Sequence, residues 1–290
     1  MNAVDLHTHS NKSDGSCSPT ALVDYAIQKG LAAIALTDHD TTDGLAEAIT
    51  HAAALSQAGQ PSVEVIPGIE FSTKHDDKDV HIVGLYIAYD APDFDAKLQE
   101  FVDSRTNRNI KMCNNLREAG IDITYGKLQE RNPDAVITRA HYAAYLLEEG
   151  YVKSRQDAFS QYLGDHTKYF VPREKVTPAQ AVELILQAGG IPILAHPPLY
   201  HMGKDRLDNL VSSLKDVGLM GIEVLYSTYT NQDERDMLNL ASKYELLLSG
   251  GSDFHGANKP SLDLGVGYGK LFVPEEFLDK IKAAHRRHTL

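Results

Sequence analysis

Residues 31–40 read LAAIALTDHD, an apolar run that ends in Thr37-Asp38-His39-Asp40. A short continuous apolar run is typical of a strand that is covered on both faces, as in an α/β sheet flanked by helices. In β/α barrels the carboxyl ends of the strands hold the active site. The stretch therefore predicts a buried strand with functional side chains at its carboxyl end.

Similar apolar runs occur before and after this strand in the sequence. Helix signals separate the apolar runs: Ser18-Pro19 begins one helix, and Thr177-Pro178-Ala179-Gln180 has the form of a capping box. Strand–helix alternation is the pattern of a parallel α/β fold. The remaining predicted strands cover residues 3–8, 62–69, 80–87, 191–195, 220–225 and 246–250. Together these segments predict a closed or nearly closed β/α barrel.

The alternation is interrupted between residues 93 and 170. This segment contains one long polar helical stretch, Phe94 to Ala119, and further helical stretches at about 138–149 and 154–163, with no convincing buried strand. We expect a discontinuous barrel formed by residues 1–92 and 171–290, with residues 93–170 as a helical insertion that caps the site. No internal repeat is visible.

Composition narrows the functional class. The net charge of −12 gives no overall basic surface for nucleic acid or membrane, and 42% hydrophobic residues are ordinary for a globular protein. The two cysteines, Cys17 and Cys113, form no paired motif, which suits a reducing cytoplasm. No signal peptide or bilayer-spanning run is visible, so we expect a cytoplasmic protein without a membrane partner.

Histidines and acids gather at the predicted strand ends. Residues two apart on a strand point the same way, so His7 and His9 should converge, as should Asp253 and His255. One H-x-H or D-x-H motif alone is weak, since two histidines can simply be polar residues at a strand end. The full set exceeds what one tetrahedral ion needs, and nitrogen and oxygen ligands without thiolates suit Mn, Fe or Zn. The pattern predicts several metals that share a bridging carboxylate.

In chain order, these motifs resemble those of the PHP (polymerase and histidinol phosphatase) family. They are His7-x-His9, Asp14-Gly15, Thr37-Asp38-His39-Asp40, Glu70, His81-Ile82-Val83-Gly84, Ala195-His196-Pro197 and Gly251-Ser252-Asp253-Phe254-His255. The resemblance implies a distorted (β/α)7 barrel and a site for two to three divalent metal ions, with Mn favoured among Mn, Fe and Zn. The implied ligands are His7, His9, Asp14, His39, Glu70, His81, His196, Asp253 and His255.

The same resemblance implies roles within this set. Glu70 would bridge two ions, one also held by His7, His9 and Asp253, the other by His81 and His196. A third ion would lie among Asp14, His39 and His255. Asp38 and Asp40 would orient ligand imidazoles.

Such a site is suited to phosphate ester hydrolysis. Two bridged ions generate hydroxide near neutral pH, and we expect this hydroxide to attack phosphorus directly. His201 is the candidate general acid, with an ordinary surface histidine as the alternative. Arg139 is a second candidate catalytic residue, because its guanidinium matches a phosphate group. The predicted substrate contacts are Arg139, His141, Lys168 and His201.

The position of the insertion is similar to that in the nucleotide-directed branch of PHP phosphoesterases. This resemblance implies removal of the 3′-phosphate from nucleoside 3′,5′-bisphosphates, and degradation of short RNA from the 5′ end as a further activity. Histidinol-phosphate phosphatase is an alternative on the same metal site. A non-catalytic PHP scaffold module and amide or lactone hydrolysis are alternatives from other classes. Oligomeric state is left open.

Overall fold

The computed structural model describes residues 2–76, 78–172 and 176–288. Within these ranges eight strands form one sheet in the order β7-β6-β5-β4-β3-β2-β1-β8. The strands are β1 Ala3–Thr8, β2 Ala33–Leu36, β3 Glu64–His75, β4 Lys78–Leu85, β5 Ile191–Leu194, β6 Gly221–Tyr226, β7 Leu247–Gly251 and β8 Val273–Pro274. The seven predicted strands are all present, and β8 is a short addition.

The sheet curls until β7 approaches β1. The Asp253 amide donates to the His7 carbonyl at 2.9 Å, and Thr8 pairs with Phe254 in a parallel bridge. Gly251 allows this approach, because a Cβ there would lie 2.6 Å from the His7 backbone nitrogen. The result is a nearly closed barrel surrounded by helices, which confirms the predicted fold class.

Ten α-helices flank or cap the sheet in the described part of the chain. They are α1 Pro19–Gln28, α2 Leu45–Gln57, α3 Pro92–Glu118, α4 Tyr125–Arg131, α5 Arg139–Glu148, α6 Arg155–Ala158, α7 Pro178–Gln187, α8 Lys204–Asp216, α9 Asn231–Lys243 and α10 Glu275–His288. The predicted starts at Ser18 and Thr177 are both observed, since each side chain caps its helix. None of these helices is long and apolar enough to span a bilayer.

One end of the barrel is closed by α10. Leu278 and Ile281 of this helix share a buried apolar cluster with side chains from six strands, among them Leu6 and Ile193. The helix begins beside Asn2, and His285 near its end stacks on Tyr86, which follows β4. It therefore lies across the amino-terminal end of β1 and leaves the opposite end open for a site.

Strand β4 corrects the expectation of uniformly parallel strands. It runs antiparallel to both β3 and β5, with Ser72 opposite His81 in the β3–β4 register. The reason is that β3 ends at His75 and β4 begins at Lys78, which leaves too few residues for a crossover helix, and His75 pairs directly with Lys78. The start of β4 thus reaches the end of the barrel where its parallel neighbours finish. This reversal explains how His81, near the beginning of its strand, can join residues that lie at the ends of other strands.

The reversal also leaves the end of β4 at the closed end of the barrel, far from the site. Helix α3 spans the distance: its 27 residues extend about 40 Å at 1.5 Å per residue. Helices α4, α5 and α6 follow, and a single π-helical turn, Phe159–Leu163, continues α6. The short α4 was not predicted. Met112, Leu146 and Leu163 belong to an apolar cluster within this segment, distinct from the barrel clusters, so the segment has a core of its own.

Candidate metal centre

The histidines and acids singled out in the sequence meet at the open end of the barrel. Three groups have ligand atoms within 4.8 Å of one another: His9, Asp14, His39 and His255; His7, His9, Glu70 and Asp253; and His39, Glu70 and His81. His196 adjoins them, with its Nε2 3.1 Å from Glu70 Oε1. All nine predicted ligands therefore converge, although they are spread over some 250 residues of sequence.

Glu70 lies at the centre of this cluster. It is fixed through its backbone, since its amide donates to the Asp38 carbonyl and its own carbonyl accepts the Asp40 amide. Both carboxylate oxygens face imidazoles. Oε2 lies 3.2 Å from His7 Nε2, 3.3 Å from His9 Nε2 and 3.1 Å from His39 Nδ1, and Oε1 lies 2.8 Å from His81 Nδ1 and 3.1 Å from His196 Nε2. Such a position suits a carboxylate that bridges two ions.

Two aspartates, Asp253 and Asp14, lie on opposite sides of the His9 ring. Asp253 Oδ1 lies 3.2 Å from His9 Nε2 and 3.6 Å from His7 Nε2. Asp14 Oδ1 lies 3.1 Å from His255 Nε2 and 3.9 Å from His9 Nδ1. His9 therefore separates the group around Glu70 from the group around Asp14.

Several buried atoms in the cluster find no hydrogen-bond partner among the described residues: His7 Nε2, His9 Nε2, His196 Nδ1 and Asp14 Oδ1. Leaving a buried polar atom unsatisfied costs about 1–3 kcal/mol, and divalent cations at these positions would remove that cost. Nitrogen and oxygen donors without sulfur are the ligands that Mn, Fe and Zn accept. The donor set fits a centre of several divalent ions.

The charges of the cluster favour cations. Burial alone would raise the pKa of the Glu70 carboxyl, but the nearby imidazoles, above all His39 and His7, hold that pKa well below its ordinary value. Burial likewise acts to raise the pKa of Asp253, whereas Lys259 and His255 lower it well below its ordinary value. Both side chains are therefore anionic carboxylates inside the barrel mouth.

The backbone is strained at this site. His196 has φ of 32° and Asp253 has φ of 57°, in the left-handed region that ordinary residues avoid. Each such residue costs on the order of 1–3 kcal/mol and persists only when its surroundings impose it. Here the His196 amide donates to Glu223 and the Asp253 amide donates to His7. The strain is typical of a functional site.

Three supporting residues were missed by the sequence interpretation. Glu223 of β6 accepts from His7 Nδ1 at 2.9 Å and from the His196 amide at 2.7 Å. The Tyr226 hydroxyl and the Lys259 ammonium donate to Asp253 Oδ2 at 2.7 and 2.6 Å. A signal existed for Glu223, because a glutamate inside an apolar strand is almost never buried without a partner. Tyr226 and Lys259 carried no comparable signal.

Asp38 and Asp40 contact serines rather than imidazoles. Asp38 accepts from the hydroxyls of Ser10 and Ser13 at 2.6 and 2.5 Å, and Asp40 accepts the Ser72 amide at 3.1 Å. The serines in turn approach the histidines, with Ser72 Oγ 3.2 Å from His39 Nδ1. Any orienting effect of these two aspartates on an imidazole is therefore indirect.

A cavity of about 580 Å³ opens over the cluster. Phe159 and Phe170 contribute apolar surface to its wall. Its lining cations are Arg105, Arg108, Arg139, Arg155 and Lys259. Of these only Arg139 was predicted; the others follow from the paths of α3 and α6 and from the loop after β7, which no local motif reveals.

The other predicted substrate contacts lie elsewhere. His201 is exposed and lines an adjoining cavity of about 470 Å³, which shares His81, Arg139 and His196 with the first. His141 is buried, and its Nδ1 accepts the Thr138 amide at 2.9 Å in the capping box of α5. Lys168 is exposed, with its Nζ 5.0 Å from the ring centre of Tyr169. Neither His141 nor Lys168 lines these two cavities.

Comparison with known proteins agrees with this geometry. The sequence matches the PHP domain over residues 5–250. The chain belongs to the PHP family. It is similar to a 3′,5′-nucleoside bisphosphate phosphatase of Chromobacterium violaceum, with 35% identity over 91% of each chain. It is also similar to a 5′-3′ exoribonuclease of Haemophilus influenzae, with 39% identity over 87% of this chain and 89% of the relative.

A solved structure extends the likeness to three dimensions. A proposed metal-dependent phosphoesterase from Bifidobacterium adolescentis superimposes with a TM-score of 0.83 at 26% identity, covering 97% of this chain and 96% of the other. The PHP chain described here is thus a metal-dependent phosphoesterase, a hydrolase acting on phosphoric ester bonds.

Proposed function

We propose that this PHP enzyme removes the 3′-phosphate from nucleoside 3′,5′-bisphosphates. The main support is the cavity, whose lining includes candidate ligands of ions that would bind the scissile phosphate and, beside them, further cations for a second phosphate. In a chain of net charge −12 such a local gathering of cations points to an anionic ligand. The 35% identity to a relative named as a bisphosphate phosphatase agrees with this proposal.

For the metal centre we propose two to three divalent ions, with Mn favoured. Glu70 would bridge two of them, and the full ligand set would be His7, His9, Asp14, His39, Glu70, His81, His196, Asp253 and His255. When bound, the ions would activate water as the nucleophile and neutralise the phosphoryl oxygens. The four buried atoms without hydrogen-bond partners support this assignment.

Substrate binding and protonation of the leaving oxygen would be carried out by side chains of the protein. Arg139 is held by Asp79 at 2.6 Å and by a long contact to the Leu163 carbonyl, and its guanidinium lines the cavity, where it suits a phosphate oxygen. Phe159 and Phe170 supply apolar surface for a base. His201 would donate a proton to the departing 3′-oxygen from the adjoining cavity. His141 and Lys168 remain candidates for substrate contact only through a movement of the insertion.

Short RNA is a second candidate substrate. The adjoining cavity shares His81 and His196 in its lining with the first, so a chain of nucleotides could extend from the cluster toward it. The relative with 39% identity is named as a 5′-3′ exoribonuclease. The two activities share one metal centre and differ only in what is attached to the scissile phosphate.

A side-by-side assay with Mn²⁺ tests the proposal, measuring phosphate release from the phosphomonoesters and release of nucleoside 5′-monophosphate from RNA. The substrates are adenosine 3′,5′-bisphosphate, adenosine 5′-monophosphate, histidinol phosphate and a 5′-phosphorylated trinucleotide RNA. We expect kcat/KM for the bisphosphate to exceed that for the monophosphate by about 100-fold or more, since loss of a charge-assisted contact costs several kcal/mol. Phosphorus NMR should identify adenosine 5′-monophosphate as the product. Preference for histidinol phosphate would overturn the substrate assignment.

A further inference from the structure

Asp14, a member of the proposed metal centre, is held by the insertion. The Thr138 hydroxyl donates to Asp14 Oδ2 at 2.9 Å, and both side chains are buried. The same hydroxyl accepts the Ala140 amide at 3.2 Å as the N-cap of α5. With Oδ2 fixed in this way, Oδ1 faces His255 Nε2 at 3.1 Å. One hydroxyl therefore joins the start of an insertion helix to the orientation of this carboxylate.

The insertion also supports the backbone of Asp14, indirectly through Asn258. Asn258, in the loop after β7, donates its side-chain amide to the Asp14 carbonyl at 2.8 Å. Arg155 of α6 in turn donates to Asn258 Oδ1 at 2.9 Å and to the Asn258 carbonyl at 3.0 Å. Both the side chain and the backbone of Asp14 thus depend on where the insertion lies.

His39 is held from the insertion as well. Arg105 of α3 donates to Ser72 Oγ at 2.6 Å, and this oxygen lies 3.2 Å from His39 Nδ1. Arg105 is itself anchored, because its Nε donates to the buried Asp40 at 2.7 Å. The contact at Nδ1 leaves His39 Nε2 directed toward Asp14, 3.9 Å from Oδ2.

His7 and Asp253, on the other side of the cluster, are held by residues outside the insertion. Glu223 and Tyr226, both in β6, hold His7 and Asp253, and Lys259 in the loop after β7 holds Asp253 again. These supporting residues belong to the barrel. The carboxylate of Asp14 is therefore supported from the insertion, whereas His7 and Asp253 are supported from the barrel; His39 faces both Asp14 and Glu70.

We propose that the helical insertion is an integral part of the metal centre as well as a cover for the cavity. Thr138 and Arg105 act as positioning residues for Asp14 and His39, so ion binding in the group His9, Asp14, His39 and His255 is coupled to docking of the insertion on the barrel. Coupling between two sites is reciprocal, so an ion in this group also holds the insertion closed. The proposal rests on the ligand assignment given under the proposed function.

Metal stoichiometry tests the first half of this coupling. The Thr138→Val variant keeps the side-chain shape but removes the hydroxyl that holds Asp14. Equilibrium dialysis of the full chain against Mn²⁺, followed by elemental analysis, should show one equivalent bound about 10–100-fold more weakly than in the wild type, the effect typical of lost ligand support. The other equivalents should keep their affinity. Thr138→Ser, which retains the hydroxyl, should restore wild-type binding.

A matched control separates this effect from the loss of a helix cap. Thr124 caps α4 in the same insertion, accepting the Lys127 amide at 3.1 Å, and its hydroxyl is not at the cluster. Thr124→Val should therefore bind Mn²⁺ as the wild type does. In the opposite direction, Glu223→Gln should weaken the ions of the barrel-supported group. Wild-type affinity in Thr138→Val, or equal losses in Thr124→Val and Thr138→Val, would overturn the coupling.

Hydrogen exchange on the wild-type chain tests the reciprocal half and needs no variant. Saturation with Mn²⁺ should slow amide exchange in α5 and α6 of the insertion by about tenfold or more, while the exposed barrel helix α9 serves as the internal reference. Unchanged exchange in the insertion would overturn the proposal. A wild-type chain that binds no Mn²⁺ would instead remove the ligand assignment itself, so the two failures are distinguishable.

Discussion

At the residue scale, His9 lies between the two ligand groups of the cluster, the one around Glu70 and the one around Asp14. It is fully buried, and its two ring nitrogens face different groups, Nε2 toward Glu70 and Asp253 and Nδ1 toward Asp14. Burial acts to lower the pKa of His9, but the close carboxylates of Asp253 and Glu70 outweigh it and raise that pKa to about 9. The imidazole therefore lies in a strongly anionic environment, which a bound cation would neutralise in place of a proton.

Loss of either His9 or Asp253 should abolish turnover. His9→Ala and Asp253→Ala each remove a proposed ligand that contacts the group around Glu70, and we expect kcat/KM to fall about 1,000-fold or more, on the order expected when metal catalysis is lost. The fold should persist, as judged by far-UV circular dichroism. His51→Ala is the control, because His51 pairs with Asp24 on the outside of the barrel. Near-normal rates in either ligand variant would refute the assignment.

Arg139 is expected to act mainly in substrate binding. Removing its charge in Arg139→Ala should raise KM for adenosine 3′,5′-bisphosphate by about tenfold or more, since hydrogen bonds to charged groups contribute about 1.5–3 kcal/mol, with a smaller change in kcat. Steady-state kinetics would separate the two parameters. Arg131→Ala is a matched control in the same insertion, where Arg131 pairs with the exposed Glu148 and Glu149. An equal change in both variants would contradict a specific contact.

At the element scale, the antiparallel β4 is the feature that assembles the site. It brings His81 opposite Ser72 and beside Glu70, and it sends α3 back along the barrel so that Arg105 and Arg108 reach the cavity. Helix α7 packs against β4, and Gly84 makes room for it. A Cβ at Gly84 would lie 2.8 Å from Ile185 Cγ1. The placement of the strand therefore depends on a residue without a side chain.

Substitution at Gly84 should destabilise the protein. In Gly84→Ala the new methyl group overlaps Ile185, and overpacking of this kind typically costs about 1–3 kcal/mol. Urea denaturation would measure the loss in free energy of unfolding. Gly203→Ala is the matched control, since a Cβ there meets nothing within 4 Å and the position has φ of −63°. A stable Gly84→Ala variant would show that α7 can move away from the strand at little cost.

At the scale of the whole molecule, the cluster joins six strands and the insertion, so its ions should contribute to global stability. Chelation of bound metal is expected to lower the melting temperature. An ion present at a thousandfold excess over its Kd stabilises the native state by about 4 kcal/mol, which corresponds to a shift of roughly 10 °C for a chain of this size. Differential scanning calorimetry with and without Mn²⁺ would measure it. His9→Ala should show a much smaller shift than the wild type.

The sequence was sufficient for the fold class and for most of the strand-end ligands, and the resemblance to the PHP motifs supplied the rest of the nine candidate ligands. Short apolar runs followed by His, Asp or Glu are local patterns, and the active-site end of a barrel collects whatever follows its strands. His7, His9, Glu70 and Asp253 could therefore be placed together before their distances were known. Strands with period-2 geometry and capped helices are likewise encoded within a few residues.

The direction of β4, the supporting residues and most of the cavity cations were decided by tertiary structure. Glu223 meets His7 across 216 positions of sequence. Arg105 reaches Ser72 because α3 returns along the barrel from its closed end. Such contacts depend on how distant segments pack, and packing leaves no periodic trace in the sequence around each residue, whereas strand ends and helix caps do.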